Sequence, residues 1–166
     1  MGERRSLLAD LGRGALAGAA ATWVMGQTTT YLYEHESRQA REMEDEARGN
    51  KTAYGVAAEK GAGMFGRDLP DEERQRVGLG IHWALGVGMG ALYGVIRGRM
   101  PAADAAQGML FGTVFFGLLD EVATPALGLT PGPTAFPWQT HARGLAGHLV
   151  FGLVAETTLQ LADRIG

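Results

Sequence analysis

Histidines and carboxylates are the residues of this chain whose types and spacing could do chemistry. His82, His141 and His148 stand with Asp120, Glu121 and Glu156 inside or beside apolar stretches, and Glu34-His35 closes another. Imidazole and carboxylate side chains in sequence can pass a proton near neutral pH, so Glu156, His148 and Asp120 outline a possible proton or ion path. Two histidines on different helices are the minimum for a metal or haem site, and His82 and His148 form such a pair. The third reading needs no reaction: a satisfied hydrogen-bond cluster that pins helices to one another. No HExxH or CxxCH spacing strengthens the metal reading, so neither a metal site nor a cofactor is expected. The chain has no cysteine, which excludes disulfides and thiolate ligands. Thr28-Thr29-Thr30 has no base at a fixed spacing, so no catalytic residue is assigned. Gly86-Val87-Gly88-Met89-Gly90 lies in a helical stretch rather than after a strand, which argues against a dinucleotide fingerprint.

The elements that must position these groups carry a repeated step of four small residues. Gly14, Gly18, Thr22, Gly26 and Thr30 form one stripe, and Gly86, Gly90 and Gly94 follow His82 in a second. Gly108 and Gly112 lead through Phe116 to Asp120, and Gly144, His148, Gly152 and Glu156 complete the set. Residues four apart share a helix face. Small faces let helix backbones approach closely, which is how helices associate in lipid. Glycine supplies 26 of the 166 residues, without a collagen period and inside apolar stretches rather than polar linkers. The mean hydropathy of −0.04 is diluted by the charged segment from Glu34 to Arg76. A net charge of −3 with mixed signs gives no footprint for nucleic acid.

The pattern predicts an all-α bundle of four transmembrane helices in a single membrane domain, spanning roughly 7–33, 78–96, 102–121 and 142–162. A charged helical segment, 34–77, lies outside the bilayer. Its first part, to Arg48, is expected to continue the first helix and to stop at Gly49-Asn50. Asp68-Leu69-Pro70-Asp71-Glu72-Glu73 reads as a helix start, with acids in the first turn. Residues 122–141 hold Pro125, Pro131, Pro133 and Pro137 and are expected to be irregular. Asp10 and Arg13 interrupt the approach to Ala19-Ala20-Ala21, which favours an uncleaved first helix over a secretory signal. Arg4, Arg5, Arg97, Arg99 and Arg164 would share one side, and the positive-inside rule makes it cytoplasmic. The basic residues of the long charged loop pull the other way. Each half also has a striped helix ending in acid and a later helix with His four before Gly, a faint parallel repeat.

The C-terminal half resembles the YagU-like family of small bacterial inner-membrane proteins of unknown function. The resemblance rests on His82, on Gly90-Ala91-Leu92-Tyr93-Gly94-Val95, and on Gly108-Met109-Leu110-Phe111-Gly112. It continues through Asp120-Glu121, Pro125, Gly128-Leu129-Thr130-Pro131, His141, Gly147-His148, Gly152 and Glu156. In place of the family's proline-arginine stretch after the first helix, this chain carries its charged 34–48 segment. The resemblance implies a multi-pass membrane protein and supplies no catalytic residues.

The expected function is that of a small multi-pass integral membrane protein, a structural or accessory subunit of a membrane complex. The alternatives are a small transporter or proton conductor built on the His/Asp/Glu cluster, and a membrane protein with a histidine-bound cofactor. Expected partners are the lipid bilayer and either another membrane protein or a second copy of the chain. The expected location is a bacterial inner membrane, with both termini inside.

Overall fold

A computed structural model describes residues 6–100 and 102–165. Arg4, Arg5 and Pro101, which bear on the sidedness argument and the basic turn, lie outside the described residues. The order is α1 (Leu7–Glu34), α2 (Arg38–Arg48), α3 (Ala53–Gly63), α4 (Asp71–Arg97), α5 (Met109–Ala126) and α6 (Trp138–Ile165). Among the described residues there is no strand.

Local chemistry sets the helix ends. The backbone N–H groups of Ala9, Ala40 and Gly55 donate to the side-chain oxygens of Ser6, Ser37 and Thr52, capping α1, α2 and α3. The cap at Ser37 marks a break after Glu34. The charged segment therefore forms a separate helix rather than prolonging α1. Gly49 ends α2 at φ +59°, in the left-handed region that glycine enters without a Cβ penalty. Pro70 stands at the cap of α4, with Asp71, Glu72 and Glu73 in the first turn, where acids favour the helix dipole. Residues expected to open the third span, 102–108, form turns instead, and α5 begins only after Gly108 at φ +80°. That helix runs past the expected limit to Ala126, because its ladder widens into π turns over Gly117–Ala123 just ahead of Pro125, which has no N–H to give. The rest of the proline segment holds only a short 3₁₀ turn at Pro133–Ala135.

Packing follows the glycines. The first helix lies against both α4 and α6, α5 lies against α6, and α3 lies on α4. A Cβ placed on Gly18 would stand 2.6 Å from the Gly86 carbonyl oxygen and 2.8 Å from the Gly90 Cα. Gly14 and Gly94 meet backbone across the same seam. A second close crossing sets Gly108 and Gly112 of the α5 start against the backbone of Gly152 and His148. Gly144 faces the Phe116 ring, whereas nothing lies within 4 Å of Gly26. The buried apolar core is small: Ala17, Ala21, Tyr93, Phe115, Phe151, Ala155 and Leu159.

Large apolar side chains line the outside of the long helices. Leu8, Leu16 and Trp23 of α1, Leu79 and Leu92 of α4, and Leu153 and Leu161 of α6 are all exposed. On α5 the outward stripe is Leu110, Val114, Leu118 and Val122, four apart. The fully buried side chains include Glu156, while His148, Thr22 and Glu44 are nearly so. Water does not tolerate so much contiguous apolar surface, but lipid does. Three helices, α4, α5 and α6, are long and apolar enough to cross a membrane. With 28 residues α1 is long enough too. It falls short of that apolar set because Asp10 and Arg13 dilute one end and Gln27 and the threonines the other, so the expected count of four becomes three by length and composition.

Candidate functional site

Polar groups gather at both ends of the bundle. At the end where α1 starts and α4 and α6 finish, Glu156 is fully buried, with a relative exposure of 0%. The Tyr93 hydroxyl and Arg97 Nε donate to its Oε2 at 2.6 and 2.7 Å, and Gln160 Nε2 donates to its Oε1 at 2.9 Å. Arg97 also reaches Asp163 at 2.8 Å, Arg13 pairs with the same Asp163 at 2.7 Å, and Arg99 pairs with Asp10 at 2.9 Å. A buried charge needs such donors, because desolvation alone would be prohibitive. This network ties α1, α4 and α6 together beside a smaller cavity of about 210 Å³ lined by Asp10, Arg13, Arg97 and Arg99.

At the other end the helices stand apart and enclose a cavity of about 510 Å³, within the size range of small-ligand sites. The second helix is clamped over it. Arg143 of α6 donates to Glu36 and Glu44, each at 2.5 Å, and Thr140 donates to Glu44 at 2.8 Å. Arg48 donates to the same Glu44 at 2.9 Å and stacks its guanidinium 5.2 Å from the Phe136 ring centre. Burial pushes the Glu44 carboxyl up, but the Arg143 and Thr140 hydrogen bonds and the Arg48 charge outweigh it and hold it below the ordinary carboxylate value. On the opposite wall, Tyr54 of α3 meets His82 edge-on, with centroids 5.0 Å apart. Burial, reinforced by the Asp120 charge, drives the Tyr54 hydroxyl well above its usual range, so it stays neutral. Lys60 donates to the Leu127 carbonyl at 2.7 Å and ties α3 to the end of α5.

The residues singled out from sequence separate into three places. His82, Asp120, Glu121 and His141 line the cavity. The π turns carry both acids of α5 to that wall, and such turns recur at functional sites. His141 lies between two acceptors, Nδ1 at 2.7 Å from Glu121 and Nε2 at 3.0 Å from the Pro133 carbonyl. His148 sits deeper, its Nδ1 donating to the Gly144 carbonyl at 2.9 Å with Asp120 farther off at 3.8 Å. Since Nδ1 carries that proton, Nε2 is the acceptor of the neutral ring. His82 and His148 share a void of only about 10 Å³, close to the room one water needs. Glu156 belongs to the opposite end. Ring contacts lead from its donor Tyr93 to Phe111, from Phe111 to Phe115, and from Phe115 edge-on to the His148 imidazole at 4.8 Å. Among the described residues no three His, Asp or Glu side chains are grouped to hold a metal ion.

Sequence reasoning passed over Glu44, Arg143 and Tyr54 at the cavity, and Tyr93, Arg97 and Asp163 at the opposite end. The second group had a legible signal. Tyr93 and Arg97 are four apart, and Glu156, Gln160 and Asp163 continue one stripe at steps of four and three, so two polar stripes face each other. In the first group Glu44 and Tyr54 had none, because α2 and α3 reach the cavity only through the tertiary fold, whereas Arg143 stands two residues after His141.

An all-helical chain with an apolar exterior, buried charges and three helices able to cross a bilayer is a membrane protein by class. A family model for proteins of unknown function, DUF1440, matches residues 54–157. The match covers more than half of the sequence, and the chain belongs to that family. Neither the curated proteins nor the solved structures that were searched contain a match.

Proposed function

We propose that this is a four-span protein of a bacterial inner membrane, of the YagU-like kind, that admits a small polar solute into the cavity between α2, α3 and the proline segment. The observation that carries the reading is the asymmetry of the bundle. One end is bridged by the Glu156–Arg97–Asp163 network and holds only a smaller cavity of about 210 Å³, whereas the other opens into about 510 Å³ lined by charged, hydroxyl and aromatic side chains. A vestibule on one side and an ion-paired bridge on the other is the arrangement a transporter shows when it faces one compartment. In this reading α1 is the fourth span. Its dilute hydropathy reflects small residues facing α4 and polar ones near the ends.

A relay running from Asp120 through His148 to Glu156 has less support, because the contacts that lead from His148 toward Glu156 run through the Phe115 and Phe111 rings, which carry no proton. A purely structural or accessory role ranks second, since the exposed residues of the spans are those that lipid itself would cover. Placing both termini inside puts the cavity on the periplasmic face.

The chain has no cysteine, so Thr29→Cys, a cavity-lining position on α1, gives a single reporter. A membrane-impermeant maleimide should label it in intact spheroplasts, and labelling should outpace that of Thr22→Cys, which is buried against α4. An unreactive Thr29→Cys in both intact and permeabilised membranes overturns the solute reading. Labelling only after permeabilisation reverses the orientation.

A further inference from the structure

We infer that the cavity selects an organic monocation, a small ammonium carried on an apolar or aromatic body, with Asp120 as its counter-charge; this rests on the reading of the cavity as a solute site. The argument begins with which charges are already satisfied. The cavity wall carries four carboxylates, Glu44, Asp45, Asp120 and Glu121, against two guanidiniums, Arg48 and Arg143. Both guanidiniums converge on Glu44, and Arg143 also serves Glu36. Glu121 is taken by His141. Asp45 receives the Tyr33 hydroxyl at 3.3 Å. Among the described residues the Asp120 carboxylate accepts no hydrogen bond and has no Lys or Arg within ion-pair distance, and its nearest cationic candidate, His148 at 3.8 Å, directs its Nδ1 proton to Gly144. Beyond the two guanidiniums, His141 stands between Glu121 and the Pro133 carbonyl, so the wall still holds more carboxylates than cationic partners and one of the carboxylates is unspent.

Surroundings narrow the class. The Asp120 side chain is 34% exposed, all the access a ligand needs from within a cavity. Tyr54 and Phe116 line the same space. Two other rings of this wall already hold cations: Arg143 lies 5.0 Å from the Tyr33 centroid and Arg48 5.2 Å from that of Phe136. Aromatic faces plus a free carboxylate recognise an ammonium by cation–π attraction and by charge. An anion would meet Asp120 unscreened and would have to compete with Glu44 for both arginines. Among the described residues a bare metal ion finds no group of three His, Asp or Glu side chains to enter.

The test is isothermal titration calorimetry on the full chain in non-ionic detergent, with benzylammonium, its matched anion benzoate and neutral benzyl alcohol as probes. Benzylammonium should bind saturably at one per chain. Asp120→Asn should weaken it at least tenfold, Asp120→Glu should keep it within a few-fold, and Phe116→Leu should weaken it severalfold. Because the Asp120 carboxylate accepts no hydrogen bond from a described residue, Asp120→Asn should melt as the parent does, which separates a binding loss from a folding loss. Equal binding of benzoate, or benzylammonium affinity unchanged in Asp120→Asn, overturns the inference while leaving the cavity a solute site. No binding by any probe also overturns it. In that case a reactive Thr29→Cys keeps the wet cavity, and an unreactive one removes the solute reading as well.

Discussion

Gly18→Ala and Gly26→Ala are the same substitution on the same helix and the same four-residue stripe, yet the fold assigns them opposite effects. At Gly18 the added methyl would sit 2.6 Å from the Gly86 carbonyl oxygen, where comfortable contact begins near 3.4 Å. The obstacle is backbone, so no side chain can swing aside, and α1 must part from α4 by about 1 Å. A gap of that size forfeits roughly a quarter to a half of the attraction between facing atoms along the seam. Overpacking a close crossing costs about 1–3 kcal/mol, the range expected for Gly18→Ala. At Gly26 nothing lies within 4 Å, so alanine should be neutral or gain up to about 1 kcal/mol from helix propensity. The assay is equilibrium unfolding in mixed micelles with rising dodecyl sulfate, followed by far-ultraviolet circular dichroism and tryptophan fluorescence. If the two variants unfold at the same surfactant fraction, or Gly26→Ala is the weaker, the α1–α4 crossing is not held by the contacts described.

Two further predictions concern the polar ends. Glu156→Ala removes the acceptor of Tyr93, Arg97 and Gln160, but Arg97 keeps Asp163. The loss should therefore fall near the low end of that for a broken buried pair, about 3 kcal/mol, and exceed that of Tyr93→Phe in the same unfolding titration; a neutral Glu156→Ala refutes the network. Glu44 is held below the ordinary carboxylate value by Arg143, Thr140 and Arg48 against the effect of burial. A depressed folded pKa means that its contribution is complete above an unfolded value of about 4.3 and is lost as pH falls through the folded one. The stability gap between the parent and Glu44→Gln should thus be full at neutral pH and shrink toward pH of about 3; a gap that stays constant over that range removes Glu44 from the clamp.

The sequence by itself determined the helices and their character. Four-residue steps of glycine, a glycine-asparagine stop, and acids after Pro70 follow from local geometry, so the α4 start, the stop at Gly49-Asn50 and the helical class were all readable. The sequence also showed that charges must sit inside apolar stretches. It could not tell Gly18 from Gly26, because a stripe marks a face and not what covers it. It carried the charged segment on from α1, whereas the cap at Ser37 and the clamp of Glu44 on Arg143 turn it back over the bundle. It also grouped Glu156 with His148 by helical periodicity. Their different partners were fixed by which residues of α4 and α5 came opposite, Arg97 and Tyr93 for one and Phe115 for the other. Periodicity is a property of one helix. Depth, pairing and enclosed space are properties of several helices at once, and only the tertiary structure decided them.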